Sequence, residues 1–101
     1  MILYNVTVKV DLDVHDDWLK WMKEVHIPDV MNTGLFIENK ICRLLYVDES
    51  DGYTYAFQYF CKDLDTLKKY QAEHAQALQA DHTNRYKDKF VAFRTLMEVI
   101  E

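Results

Sequence analysis

The alternation in residues 2–11 constrains this chain most. Ile2, Tyr4, Val6, Val8 and Val10 stand at every second position, with Leu3, Asn5, Thr7, Lys9 and Asp11 between them. A period of two is a strand with one face in a core, and such a strand needs a second layer. The next segment supplies one: Val14, Trp18, Trp21, Met22 and Val25 recur at helical spacing. Asp13 is the expected N-cap, and Asp16 and Asp17 lie in the first turn, where the helix dipole favours acids. Pro28 has no amide proton, so the helix should kink or end at Ile27-Pro28-Asp29, with Gly34 as a left-handed exit.

Residues 36–48 and 53–62 are rich in aromatic and β-branched side chains, and Asp51-Gly52 between them reads as a two-residue hairpin turn. In that register Cys42 faces Cys61. Leu44, Tyr46, Phe57 and Tyr59 share one face, while Ile41, Leu45, Val47, Ala56 and Phe60 share the other, with Arg43 and Gln58 among them. Asp63 or Asp65 caps a second helix running to about Lys87, and Phe90 to Ile100 form the last strand. The expected fold is α+β, a ferredoxin-like βαββαβ arrangement: a four-stranded antiparallel sheet with two helices on one face. Apolar groups on both faces of the hairpin call for a second cover, and the economical one is another copy of the chain.

A chain of 101 residues reads as one domain spanning residues 1–101, long enough for a core without metal or disulfides. Its net charge of -5 works against nucleic-acid and anionic-lipid partners. The N-terminus lacks a basic region, and no apolar run approaches the ~18 residues of a membrane span, so a cytoplasmic location is expected. Cys42 and Cys61 form no C-x-x-C, and free thiols are expected. Only 2 glycines are present, and no phosphate loop or nucleophile elbow can be found among them.

The histidines are the candidate chemistry. His74 falls within the stripe of Leu64, Leu67, Tyr70, Gln71 and Leu78, which predicts a largely buried, hydrogen-bonded ring. His82 and Arg85 continue that face, and Arg85 suits an anionic group. His26 is either bonded to a carbonyl freed by Pro28 or functional, and His15, among acids, is expected to be solvated. His74 and His82 lie about 12 Å apart along a helix, whereas zinc–imidazole bonds are ~2.1 Å long. No metal site is therefore expected. Gly52-Tyr53-Thr54-Tyr55-Ala56 has the outline of the RNA-recognition motif's central strand, but Asp51 stands where a basic residue is needed and Gln58 where an aromatic is needed.

The segments Tyr4-Asn-Val-Thr-Val, Trp18-Leu-Lys-Trp-Met-Lys-Glu-Val-His-Ile-Pro-Asp-Val, Thr33-Gly-Leu-Phe and Asp88-Lys-Phe-Val-Ala-Phe-Arg-Thr-Leu resemble a bacterial family of domains of unknown function, best known from Bacteroidetes. The likeness covers nearly the whole chain. It implies membership of the dimeric α/β-barrel superfamily, in which two ferredoxin-like subunits join their sheets. That superfamily includes cofactor-free monooxygenases, isomerases, haem-degrading enzymes and stress-response proteins. Their sites lie between sheet and helices, which directs attention to His26, His74, Tyr4, Tyr59 and Arg85. Two readings stay open. One is a homodimeric small-molecule-binding or stress-related protein without turnover and without a cofactor, its ligand contacts drawn from Tyr4, Tyr59, His82 and Arg85. The other is a cofactor-independent monooxygenase or isomerase with His26 or His74 as base.

Overall fold

The computed structural model describes residues 1–101. Strands β1 (Ile2–Asp11), β2 (Glu38–Arg43), β3 (Gly52–Cys61) and β4 (Phe90–Glu98) form one antiparallel sheet in the order β2-β3-β1-β4. Between β1 and β2 run a 3₁₀ turn (Leu12–Val14), α1 (His15–Trp21), a π turn (Met22–His26) and α2 (Ile27–Met31). Between β3 and β4 run α3 (Leu64–Glu73) and α4 (Ala75–Arg85). This is the ferredoxin-like layering expected from the patterning, with both helical connections interrupted.

The core lies between the helices and one face of the sheet. Tyr4, Val8 and Val10 of β1 and Tyr55, Phe57 and Tyr59 of β3 pack there against Trp18, Met22, Val30, Leu67 and Tyr70. The other face carries Leu3, Asn5 and Thr7, with their neighbours Phe60, Gln58 and Ala56 on β3 and Met97, Thr95 and Phe93 on β4.

The hairpin register differs from expectation. Cys42 lies opposite Ala56, five residues from Cys61, and Cys61 lies opposite Ile2 in the β1–β3 ladder. The offset is odd, so it turns β2 over: Ile41 and Arg43 join the face of Phe57 and Tyr55 instead of opposing it. Residues 44–51 form a loop, not a two-residue turn, and Tyr46 there has φ +59°. Gly52 is glycine for another reason. It is the first residue of β3 and pairs with Asp11, and a Cβ on it would lie 2.6 Å from the Val10 carbonyl oxygen. The loop is braced by Arg43 on Glu49, 2.8 Å, and by Lys9 on Asp51, 2.7 Å. Both thiols are free.

Three terminal features also depart from expectation or resolve it. Asp13 caps no helix; it pairs with Lys89 at 2.7 Å, because the 3₁₀ turn places Val14 at the start of α1. Asp63 is the cap of α3, accepting from the Thr66 amide at 2.8 Å. Pro28 does not end the first helix. It has no proton for the Glu24 carbonyl one turn back, the chain widens into the π turn before it, and α-helical pairing resumes to Met31. Gly34 then leaves the helix at φ +77°.

Candidate functional site

A cavity of about 30 Å³ lies between the helices and the core face of the sheet, room for a water or two. Strands β1, β3 and β4 floor it with Tyr4, Phe57, Tyr59 and Arg94. Met22 and His26, the two ends of the π turn, close one side, and Tyr70, Gln79 and His82 close the other. Both helical walls are irregular: the first at the π turn, whose ends line the cavity, and the second at His74, which lies between the lining residues Tyr70 and Leu78 and whose φ of -129° separates α3 from α4. π turns are frequent at functional sites, and breaks in the hydrogen-bond ladder are where packed helices have slack.

His82 is 6% exposed, and the Trp18 indole Nε1–H donates to its Nε2 over 2.8 Å. Indole is only a donor, so Nε2 accepts and the ring proton sits on Nδ1. The ring stacks on Phe90, centroids 4.0 Å apart, and lies 6.0 Å from Trp21. Burial, with His26 and Arg94 nearby, pushes His82 down to about 4. It is therefore neutral at physiological pH, as the indole bond requires.

His26 stands 5.7 Å from His82 and 5.4 Å from Trp21, half-buried and with no side-chain hydrogen bond. The bond to a freed backbone carbonyl does not form, because the π turn carries the ring onto the aromatic cluster. Burial holds it below the ordinary histidine range against the pull of Asp29 and Asp81. Its free lone pair can accept a proton.

Tyr59 is 3% exposed, and its hydroxyl has no partner within the protein. Burial holds this phenol well above the usual range, so it stays protonated. Tyr4 accepts from Arg94 Nε at 3.1 Å, and its ring lies 6.3 Å from that of Tyr59.

Of the residues expected from sequence, Tyr4, Tyr59, His26 and His82 meet at this cavity, and His74 and Arg85 do not line it. His74 is half-buried, without a side-chain hydrogen bond, and 6.3 Å from Tyr70. The helix breaks at its backbone, so the stripe loses phase and Ala75 takes the buried place. Arg85 lies over Trp21 on the outside, 5.5 Å from the ring centre, and bonds Tyr86. His15 is not solvated: its Nε2 lies 2.6 Å from the Tyr55 hydroxyl and its ring packs on Tyr53, because the 3₁₀ turn swings it onto the sheet. Sequence reasoning missed Arg94. Its only signal was parity, an arginine in step with Phe90, Ala92 and Leu96 on the inward face of β4.

The fold is shared with solved structures of low identity. A dimeric ferredoxin-like protein from an uncultured marine organism is 13% identical with TM-score 0.72, over 100% of this chain and 96% of the other. A variant of MhuD with two manganese protoporphyrin IX molecules per active site is 14% identical with TM-score 0.73, covering 100% and 96%. A variant of SnoaB, a cofactor-independent oxygenase from Streptomyces nogalater, is 10% identical with TM-score 0.65, covering 99% and 94%. At such identities the likeness is one of fold. No curated protein matches the chain significantly. The family model for a domain of unknown function, DUF4286, matches residues 1–100, and the chain belongs to that family.

Proposed function

We propose that this protein is a homodimeric binder of a small molecule, held in the helix–sheet cavity by Tyr4, Tyr59, His26 and His82. The observation that carries the reading is the Tyr59 hydroxyl, buried without a partner at the cavity wall. Such a group costs about 1–3 kcal/mol unless something bonds to it, and a ligand oxygen or nitrogen would do so. At about 30 Å³ the cavity must widen to admit one, and the π turn and the break at His74 are where its walls can yield. Native mass spectrometry of the purified protein tests the reading. Retained mass above the 12.1 kDa chain, lost in Tyr59→Phe and His26→Gln, is the expected result. Retention unchanged in both variants would remove the cavity from the site.

The dimer is supported by the outer sheet face. Val91 and Phe93 are 69% and 64% exposed there beside Leu3, Phe60 and Met97. Asn5 in its middle is buried, with Nδ2 on Thr7 and Oδ1 unpartnered, an acceptor that a second copy could satisfy. A solved neighbour described as dimeric agrees with this. A cytoplasmic, single-domain protein is part of the same reading, in keeping with two free thiols.

A second reading rests on His26. A neutral, unbonded imidazole at the cavity wall is equipped as a general base, and one of the neighbours is described as a cofactor-independent oxygenase. In that reading His26 removes a proton from an acidic C–H of the ligand, leaving a delocalised carbanion for isomerisation or for reaction with dioxygen. Oxygen uptake, or exchange of that proton with solvent, should disappear in His26→Gln while ligand binding persists.

A further inference from the structure

Taking the cavity as the binding site, we infer that its ligand is a small planar anion, a conjugated carboxylate or enolate, whose oxygen is held by Arg94. The arginines distinguish themselves by partner. Arg43 faces Glu49 at 2.8 Å and Arg85 faces Asp17 at 3.9 Å, whereas Arg94 pairs with no carboxylate and bonds only the neutral Tyr4 hydroxyl. That single bond uses Nε and leaves the other N–H groups of the fork available, the geometry that suits a carboxylate or enolate oxygen.

The remaining polar inventory has the same sense. His82 has spent its acceptor on Trp18 and keeps a donor at Nδ1, and the Tyr59 phenol is held protonated. No carboxylate lines the cavity; Asp29 and Asp81 act on His26 from outside it. Arg94, His82 and Tyr59 thus offer a cation and two donors to an acceptor-rich guest, and His26 keeps an accepting lone pair for a hydroxyl on it. In a chain of net charge -5 that cation is a local exception, placed there by the strand's parity. The lining is aromatic, with the Tyr4 ring 6.3 Å from Tyr59 and 5.8 Å from Tyr70 at interplanar angles of 33° and 56°, faces and edges that a planar conjugated guest can stack on or abut.

Salicylate and its neutral amide, salicylamide, separate charge from shape. Both are titrated into the wild-type protein, Arg94→Gln, Arg94→Lys and Tyr59→Phe, with calorimetry for affinity and proton-detected spectra for the Tyr59 and His26 resonances. The expected result is salicylate bound about tenfold or more tighter than the amide, the increment of a charge-assisted bond. Arg94→Gln should abolish that preference without weakening the amide, Arg94→Lys should keep part of it, and Tyr59→Phe should weaken both probes. Equal affinity for the two probes, or a preference that survives Arg94→Gln, overturns the anion class while leaving the cavity as a site. Binding of neither probe also overturns it, and the cavity reading then stands or falls on the retained-mass measurement. Should Arg94→Gln not fold, the Lys variant and loss of the preference at high salt decide the question.

Discussion

His82 shows how one buried ring couples chemistry to stability. Its folded-state pKa is depressed to about 4 from the ordinary 6.5, so as pH falls the unfolded chain takes up the proton first. The His82 contribution should be full above pH 6.5, be lost between 6.5 and 4, and change no further below, where protonation of Asp13, Asp48 and Asp63, each held low by hydrogen bonds, takes over the decline. The span corresponds to about 3 kcal/mol, with His26 adding in the same sense. Urea unfolding across that window should show the slope, and His82→Gln, which can still accept from Trp18, should flatten most of it. An unchanged slope would mean the titration lies elsewhere. Tyr59 makes the opposite demand. Removing its unpartnered hydroxyl in Tyr59→Phe should leave the ligand-free protein as stable or up to about 1 kcal/mol more stable; a loss of more than that in thermal melts would reveal a structural partner.

At the level of elements, the two glycines have separate reasons that a pair of substitutions can distinguish. Gly34→Ala meets nothing within 4 Å but must hold φ +77°, a cost of about 1–2 kcal/mol. Gly52→Ala drives a methyl to 2.6 Å from a backbone oxygen across the β1–β3 ladder, and should cost about 1–3 kcal/mol through overpacking in the sheet. Thermal unfolding should rank Gly52→Ala as the more damaging, and the reverse order would contradict the close approach. The helices were legible as periodicities of Trp18, Met22, Leu67 and Tyr70, since those positions do face the sheet. Their interruptions were legible in part: Pro28 marked the first, as a kink or end and not as the π turn that precedes it, whereas the apolar stripe gave no sign of the break at His74. The register of β2 depends on β3 pairing with β1 over its whole length.

As a whole molecule, the chain is 19 Å along its shortest axis. That thickness holds one sheet and one layer of helices, each about 10 Å deep, with nothing over the outer face. Light scattering at micromolar concentration should give about twice 12.1 kDa, from an interface burying more than ~2,000 Å². Phe93→Glu, placing a charge at the exposed centre of β4, should yield a folded monomer. A wild-type monomer would leave Val91, Phe93 and the Asn5 acceptor without a cover.

Local pattern alone carries information about which face of an element is apolar, because periods of two and 3.6 are properties of the backbone. So the inward set of β1, the Asp63 cap, the Gly34 exit and the sheet-and-helix layering could be read from residue order. The cavity candidates Tyr4 and Tyr59 came from the family resemblance, which directs attention to the space between sheet and helices. Partners 60 to 90 residues apart leave no local trace. Trp18 with His82 and Arg94 with Tyr4 meet only because the β1–β4 and β1–β3 ladders fold the chain onto itself. Tertiary structure thus decided which histidines face the cavity, and it excluded His74 through a backbone break that no side-chain pattern encodes.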